Sequence, residues 1–418
     1  MSNKPIIVRM PPSPTGHLHL GTARTALFNY LFAKNKGGEI VFRWEDTDLE
    51  RSKTEYEIEI LEGLKWLGMD FEKESKMVVR QTQSAAYHKE QLHLLWDSGK
   101  IFPCPTSQDT IEAQKIEAEQ KKTNFVFWSS YRDQSREALQ SIIDSGESFV
   151  WRLKVPRNQV VSYKDEIRGT LEVNTETLGD FAIARADESV LYLLANVLDD
   201  WREGITHVIK GEDHISNTPK QLLLWEALEQ TPPSYTHIPL VLDTQGAKLS
   251  KRKVEPGVCV LIKDFQEQGF LPQAVVNGLV FLGWHPKTEE EIFSLSELCQ
   301  RFSLEGIHKG GAKYDFEKMK WFNNAWMRKI EIGELVERFL EWDKQTSNNK
   351  YQISATLTQT MLGKALNVAR EKAKTFEALA EEIEYVLFPL DELDPAGFIN
   401  EKMGIDADLA KKVLTVVS

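Results

Sequence analysis

The order of elements in residues 5–44 constrains the fold most. "PIIVRM" (5–10) is short and rich in β-branched residues, which predicts a buried strand, and "EIVFRW" (39–44) predicts a second. Between them, "MPPSPTGHLHLGTARTALFNYLFAKN" passes from a constrained loop into apolar residues at helical spacing, and Gly37 follows as a stop signal. A strand, a loop, a helix and a strand in this order predict a right-handed βαβ unit of a parallel sheet.

The loop of this unit is rich in proline, glycine and histidine. It lies at the carboxyl end of a predicted strand and directly before a helix N-terminus, which is where open α/β sheets bind ligands and where phosphate is attracted. Glycines let the backbone approach a phosphate chain, and prolines fix the loop before binding. The loop therefore predicts a site for a phosphate-containing ligand.

Length and composition narrow the class of protein. The chain has 418 residues, 41% of them hydrophobic and 27% charged, which predicts a multidomain globular protein. It shows neither a long uncharged apolar run nor the pattern of a secretory signal, and we expect a cytoplasmic protein without a membrane segment. The three cysteines, Cys104, Cys259 and Cys299, are too few and too far apart for a disulfide framework or a four-cysteine zinc site. The net charge of −12 neither indicates nor excludes nucleic acid.

The rest of the chain divides by pattern. Helical patterns cover 54–68 and 84–98, and a polar helical pattern covers 108–122. Alternating segments up to about residue 175 predict an α+β insertion, after which "ITHVIKGEDH" and "YTHIPLVLD" resume the parallel-sheet pattern. Beyond "GAKLSKRKVEPG" the chain is predominantly helical.

Seven segments in this order resemble bacterial glutamyl-tRNA synthetases, over residues 5–325: "PSPTGHLHLGTARTALFNYLFA", "FRWEDTDLERS", "LKWLGMDFE", "KDEIRGTLEV", "LANVLDD", "ITHVIKGEDHISNTPKQ" and "KLSKRK". The resemblance implies a class I aminoacyl-tRNA synthetase, an α/β protein whose Rossmann-type parallel-sheet catalytic domain is split by an α+β insertion and followed by an all-α C-terminal anticodon-binding region. The implied boundaries are 1–100 and 179–255 for the catalytic halves, 101–178 for the acceptor-binding insertion, 256–325 for a stem-contact region and 326–418 for a shortened helical anticodon-binding domain.

The same resemblance implies the reaction. Such an enzyme uses ATP and Mg²⁺ to join L-glutamate to tRNA(Glu) through a glutamyl-adenylate, and the terminal ribose of the tRNA then attacks. The family typically binds tRNA before it activates glutamate. We expect a monomer with no membrane partner.

Two signatures of the family carry the nucleotide chemistry. "HLGT" stands at the class I HIGH signature, so that His19 would bind ATP phosphate, Gly21 would leave room for adenosine and Thr22 would replace the second histidine. "KLSKR" resembles KMSKS, and Lys248 and Lys251 would bring positive charge to the phosphates in the transition state. The Leu240 backbone would contact adenine.

The glutamate pocket is carried over residue by residue. Arg9 matches the arginine that holds the side-chain carboxylate, a role that suits a planar, permanently charged fork. Ser13, Glu45, Tyr192 and Asn196 match further substrate contacts, with Glu45 as the ligand of the amino group. Tyr192 and Asn196 are four residues apart and would share one helix face.

The sequence departs from the family pattern at Lys210 and at Cys104. Lys210 stands where the family has the arginine that binds the α-carboxylate, and lysine keeps the charge but loses the bidentate fork. Cys104 is the only cysteine where some members hold structural zinc, and we expect no zinc because zinc needs about four ligands. In the C-terminal region, Arg370 and Lys372 would read the last anticodon base, or they are basic residues on a solvated helix face.

Four alternatives to this predicted function stay open. A non-discriminating enzyme would also charge tRNA(Gln) with glutamate. A paralogue that glutamylates a modified tRNA base usually lacks the anticodon region, which residues 326–418 supply here. "PSPTG" and "ARTALFNYL" favour the glutamyl over the glutaminyl branch, and the intact "HLGT" and "KLSKR" argue against a non-catalytic binding module.

Overall fold

A computed structural model describes residues 5–249, 255–345 and 359–387. The chain divides into two compact units, each described by itself. The first contains the described residues of 1–249, 280–289 and 295–314, and the second those of 250–279, 290–294 and 315–418.

The strands of the described residues lie in the first unit. They are β1 (Ile7–Met10), β2 (Glu39–Trp44), β3 (Met77–Arg80), β4 (Ile101–Cys104), β5 (Val150–Leu153), β6 (Val160–Asp165), β7 (Gly169–Asn174), β8 (Ala182–Arg185), β9 (His207–Gly211), β10 (Ser234–Ile238), β11 (Val241–Leu242) and β12 (Ala312–Lys313).

The α-helices extend over both units. They are α1 (Leu20–Lys36), α2 (Thr54–Trp66), α3 (Phe71–Glu74), α4 (Ala85–Asp97), α5 (Gln108–Gln120), α6 (Arg136–Asp144), α7 (Tyr192–Arg202), α8 (Thr218–Ala227), α9 (Ile262–Glu267), α10 (Pro272–Phe281), α11 (Leu295–Arg301), α12 (Phe316–Lys329), α13 (Ile332–Gln345), α14 (Gln359–Ala369), α15 (Phe376–Glu382) and α16 (Glu384–Leu387). The helices predicted over 54–68, 84–98 and 108–122 are confirmed as α2, α4 and α5.

A parallel sheet positions the site. β1, β2 and β3 pair in parallel, with Ile7 opposite Glu39 and Val41 opposite Met77. β9 pairs in parallel with β10, and a hydrogen bond from the Thr206 N–H to the Ile7 carbonyl (2.9 Å) joins this second group of strands to β1. The predicted βαβ unit is therefore confirmed as β1, α1 and β2.

Helix α1 ends where its sequence predicts. Gly37 caps it with φ of 59°, a left-handed conformation that glycine adopts without strain. Most of the side chains of α1 are buried, and so are all four residues of β1. The loop between them is thus anchored on both sides by the core of the first unit.

A second sheet, antiparallel, is formed by β4, β5 and β8. The hairpin β6–β7 lies between β5 and β8 in the chain but pairs with β10 of the parallel sheet. Asp165, at the end of β6, fixes this pairing because its carboxylate accepts from the His237 N–H (2.9 Å) and contacts His237 Nδ1 at 2.7 Å. The chain therefore crosses between the two sheets before and after the hairpin.

The described residues of the second unit form helices and no strands. A buried asparagine joins its segments: the Asn323 side-chain amide accepts from the Leu271 N–H (2.7 Å) and donates to the Lys374 carbonyl (2.7 Å). None of the helices described in either unit combines the length and the apolar composition needed to cross a membrane.

Candidate active site

Six side chains from four elements of the first unit form what we call the charged pocket: Arg9, Arg43, Glu45, Asn196, Asp200 and Lys210. Each is buried. β1, β2 and β9 supply the three cations, Glu45 directly follows β2, and α7 supplies the remaining two side chains. The structure thus brings together four of the residues that the family resemblance assigns to glutamate binding: Arg9, Glu45, Asn196 and Lys210.

Asp200 links the two arginines of the charged pocket. Its Oδ1 atom accepts from Arg43 Nη2 at 2.7 Å and lies 3.4 Å from Arg9 Nε. Arg43 also donates to Glu203 Oε2 at 2.6 Å, and burial raises the pKa of Glu203 to about 7 although Arg43 opposes the shift. Arg43 is therefore matched by two carboxylates, whereas Arg9 is held less closely.

Glu45 is oriented by its neighbour on α7. Asn196 Nδ2 donates to Glu45 Oε1 at 2.9 Å. Burial raises the pKa of Glu45, while the positive charges of Arg43 and Arg9 act in the opposite direction. A carboxylate held in this way can accept a hydrogen bond from an ammonium group of a ligand.

Lys210 has an unusual environment for a lysine. Its side chain is 7% exposed, and Nζ donates to Gln221 Oε1 at 2.7 Å. Burial, followed by the positive charge of Arg9, lowers the pKa of Lys210 to about 7. Gln221 had no signal in the sequence because it lies eleven residues away on another element, α8.

Tyr192 lies at the rim of the charged pocket, where its hydroxyl is influenced by Glu45 and Arg9. Tyr192 begins α7, and its side chain is 43% exposed. Its ring is 6.3 Å from that of His214, and desolvation followed by the charge of Glu45 raises the pKa of its hydroxyl. Ser13 is exposed in the loop after β1.

Five residues form what we call the nucleotide edge: His19, Gly21, Thr22, Asp213 and Lys248. His19 caps α1 because its Nδ1 atom accepts from the Thr22 N–H at 3.3 Å. Nδ1 is then unprotonated in the neutral ring, so that Nε2 donates to Thr22 Oγ1 at 3.0 Å. Desolvation and Lys248 lower the pKa of His19, and Asp213 opposes them.

Gly21 lies directly beneath the ring of His19. A Cβ atom at this position would stand 3.2 Å from both Cε1 and Nδ1 of His19. Glycine therefore lets the ring occupy its capping position, a constraint that adds to the role implied by the family resemblance.

The structure describes the first two residues of "KLSKR", Lys248 and Leu249. Lys248 Nζ pairs with Asp213 Oδ2 at 2.7 Å, and Lys251 lies outside the described residues. The Leu240 N–H donates to Glu212 Oε1 at 2.6 Å, and its carbonyl accepts from the Ala312 N–H at 3.2 Å. Both backbone groups of Leu240 are thus engaged within the protein.

Glu59 of α2 supports the loop that precedes His19. Its carboxylate contacts His17 Nδ1 at 2.6 Å and accepts from the Leu18 N–H at 3.3 Å. Glu59 stands in an amphipathic helix pattern, and nothing in its local sequence indicates the contact.

The two candidates for anticodon contact, Arg370 and Lys372, lie in the second unit and have different surroundings. The Arg370 guanidinium donates to the carbonyls of Ile330 (3.0 Å) and Met327 (3.3 Å), so it caps the end of α12. Lys372 lines a cavity of about 570 Å³ together with Lys320 and Lys374.

Cys104 of β4 contacts hydroxyl groups. Its Sγ atom lies 3.4 Å from Ser129 Oγ and 3.5 Å from Thr106 Oγ1. Within the part of the chain that the structure describes, no three His, Cys, Asp or Glu side chains are grouped to hold a metal ion. The absence of zinc from the protein stays a prediction.

The parallel sheet, the histidine-capped helix after its first strand and the adjacent charged pocket define a Rossmann-type nucleotide-binding catalytic domain. Residues 5–321 match the family model for the catalytic domain of class I tRNA synthetases (E and Q). The chain belongs to this family.

Named relatives are similar over most of the chain. "Glutamate--tRNA ligase 2" of Thermoanaerobacter pseudethanolicus is 36% identical over 98% of this chain and 84% of its own length. "Glutamate--tRNA ligase" of Aquifex aeolicus is 40% identical over 84% of this chain and 74% of its own. The crystal structure of a glutamate tRNA ligase from Elizabethkingia meningosepticum, in complex with its amino acid, superposes with a TM-score of 0.82 at 28% identity, covering 91% of this chain and 80% of that one.

Proposed function

We propose that this protein is a glutamate--tRNA ligase, which joins L-glutamate to tRNA(Glu) at the expense of ATP through a glutamyl-adenylate. The observation that carries the proposal is the composition of the charged pocket. It offers two buried cations, Arg9 and Lys210, and one oriented carboxylate, Glu45, to a substrate that has two carboxylates and one ammonium group.

Each substrate group has a proposed partner. The Arg9 guanidinium takes the side-chain carboxylate, since its fork matches two oxygens. Lys210 takes the α-carboxylate, and Glu45, oriented by Asn196, accepts from the amino group. Tyr192 and Ser13 complete the rim.

Adenylate formation requires the α-carboxylate oxygen of glutamate to attack the α-phosphorus of ATP while pyrophosphate leaves. The reaction needs positioning and charge stabilisation rather than a protein nucleophile. When ATP binds, the His19 Nε2–H that bonds Thr22 Oγ1 is shared with a phosphate oxygen, and Lys248 and Lys251 stabilise the developing charge. Mg²⁺ would be held mainly by phosphate oxygens and water, as is usual for this ion, and would neutralise phosphate charge.

We assign the tRNA partners to two regions. The segment 101–178 would bind the acceptor end, residues 256–325 would contact the stem, and residues 326–418 would contact the anticodon. Lys372 is the stronger candidate for a base or phosphate contact, because Arg370 is committed to the carbonyls at the end of α12. We expect a monomeric, cytoplasmic enzyme.

The test is aminoacylation with separate, purified tRNA(Glu) and tRNA(Gln). Charging of tRNA(Glu) alone supports a discriminating enzyme, and charging of both identifies a non-discriminating one. If neither tRNA is charged and ATP–pyrophosphate exchange with glutamate is absent in the presence of both tRNAs, the proposed function is wrong.

A further inference from the structure

The Lys210 amine is a buried cation whose partners are both neutral, an amide oxygen and the Tyr235 ring, which has its centroid 5.0 Å from Nζ. Gln221, itself 3% exposed, supplies the amide oxygen that accepts from Nζ. Among the described residues, no carboxylate forms an ion pair with Nζ. An unpaired ammonium away from water is costly, and its free energy falls when it releases a proton or when an anion arrives.

Charged and titratable groups face Lys210 from several elements: Arg9 from β1, Glu45 after β2, Asp165 from β6, Asp200 from α7, His214 after β9, and both Tyr235 and His237 from β10. The acids among them already have partners. Asp200 is bound to Arg43, Asp165 to His237, and Glu45 to Asn196. Their attraction therefore does not offset burial and the repulsion from Arg9, and the Lys210 pKa is lowered to about 7.

We propose that Lys210 and Gln221 form a proton-coupled carboxylate site, in which Lys210 gains a proton from solvent as the substrate carboxylate docks and Gln221 holds the amine in place. The inference rests on the proposed function, because it concerns the same pocket. The step is balanced: the Nζ lone pair forms an N–H bond with a solvent proton, and the resulting ammonium pairs with the carboxylate.

The direction of the pH dependence follows. Below about pH 7 Lys210 is already charged in the free protein, so glutamate binding is accompanied by the uptake of only a small fraction of a proton. Above it, the free protein holds a neutral amine and the complex holds an ammonium, so close to one proton enters per glutamate at pH 8. Affinity for glutamate then falls with rising pH, by up to about tenfold per pH unit. Arginine at this position would stay charged throughout.

The experiment is calorimetric titration of the full-length protein with L-glutamate, in phosphate and in Tris buffer, at pH 6.5 and pH 8. Buffers with different ionisation heats report the number of protons taken up. We expect close to one proton per glutamate at pH 8, clearly less at pH 6.5, and a rise in Kd toward tenfold between pH 7.5 and pH 8.5.

Two lysine variants identify which residue takes up the proton. Lys210→Arg should bind glutamate without proton uptake and with an affinity that does not change with pH. Lys220→Arg is the matched control, because Lys220 is also partly buried with a lowered pKa but faces the Phe181 ring at 5.5 Å. The Lys220→Arg variant should take up close to one proton per glutamate at pH 8, as the protein without substitutions does.

Gln221→Leu tests the positioning role. Without the amide oxygen the ammonium loses its partner, so the pH at which affinity begins to fall should move to lower values. A variant that is less stable to heat but keeps the same pH profile would make Gln221 a packing residue and overturn its part in the proposal.

Other outcomes would overturn the central inference. Equal heats in both buffers at pH 8, with glutamate bound, would exclude proton uptake. Uptake that persists in Lys210→Arg would move the proton to Glu45 or Glu203, whose pKa values are raised by burial. Normal charging of tRNA without proton uptake would overturn this inference alone. Absence of charging together with absence of glutamate binding at pH 6.5 would overturn the proposed function as well.

Discussion

The charged pocket and the nucleotide edge both adjoin strand β1, yet they are built in opposite ways. In the charged pocket, full charges are buried and bound to residues far away in the chain, as Arg43 is to Asp200. At the nucleotide edge, His19 is exposed and bonded to Thr22 three residues later, and the Lys248–Asp213 pair is largely open to solvent.

This difference separates two kinds of energetic consequence. A buried charge that loses its partner keeps its desolvation penalty, so a deletion in the charged pocket should cost stability or substrate affinity. An exposed contact has little influence on folding because solvent screens it. The nucleotide edge should therefore act mainly on reaction rate, through charge that develops in the transition state.

The largest effect on stability should come from Arg43→Met. The substitution leaves Asp200 and Glu203 buried without their main cation, and we expect the free energy of unfolding to fall by about 3–5 kcal/mol. Urea denaturation followed by circular dichroism measures it. The matched control is Arg80→Met, where a partly exposed arginine pairs with Glu57 and, at 3.4 Å, with Asp46. Here a loss of about 1 kcal/mol or less is expected, because the arginine is open to solvent. Equal losses would contradict the contrast between buried and exposed charge.

Arg9→Ala should change specificity. If the guanidinium pairs with the substrate side-chain carboxylate, its loss should cost about 2–5 kcal/mol in activation of glutamate. Glutamine has no such charge, so its activation should suffer much less and the preference for glutamate should shrink. Activation with each amino acid, in the presence of tRNA, gives the ratio. Circular dichroism must first show that the variant is folded, because misfolding would lower both rates equally. In a folded variant, an unchanged ratio would place the carboxylate elsewhere, with Lys210 the next residue to test.

The sequence predicted the parts of the fold that depend on local patterns. β1 and β2 follow from β-branched runs, and the end of α1 follows from Gly37. The pairing of the hairpin β6–β7 with β10 could not be predicted, because alternation within a hairpin does not indicate which strand lies at its edge. The contact that fixes it joins Asp165 to His237, 72 residues later.

The candidate site likewise has features that follow from the local sequence and features that do not. The N-cap of α1, in which His19 accepts from the Thr22 N–H, is local and could have been found from a histidine directly before a helix. Arg43 carried a usable signal, a charged residue between apolar residues inside a strand, which indicates a buried partner. Its partners Asp200 and Glu203 lie about 160 residues away, and neither their identity nor the Lys210–Gln221 contact follows from spacing.

At the nucleotide edge, Lys251→Ala should lower the rate of activation much more than it weakens glutamate binding. One interaction with developing charge is commonly worth about 3 kcal/mol, which is more than a hundredfold in rate. Pre-steady-state formation of the adenylate, with tRNA present, measures the rate, and calorimetry measures glutamate binding. Lys253→Ala, two residues later in the sequence, is the control and should keep most of the activity. Near-normal kinetics for Lys251→Ala would remove this loop from the mechanism.

The smallest expected effect tests how His19 is held. Thr22→Val keeps the shape of the side chain and the backbone N–H that bonds Nδ1, but it removes the hydroxyl that accepts from Nε2. Net hydrogen bonds of this kind are worth about 1 kcal/mol, so we expect a several-fold loss in kcat/KM for ATP in pyrophosphate exchange, with little change in unfolding by urea. Thr22→Ser restores the hydroxyl without the methyl group and should recover most of the loss. If serine is impaired as much as valine, the methyl packing of Thr22 matters rather than its bond to the ring, and the ring orientation must come from Gly21 and the backbone alone. Recovery by serine would instead show that a residue three positions away from His19 fixes which nitrogen faces the phosphates.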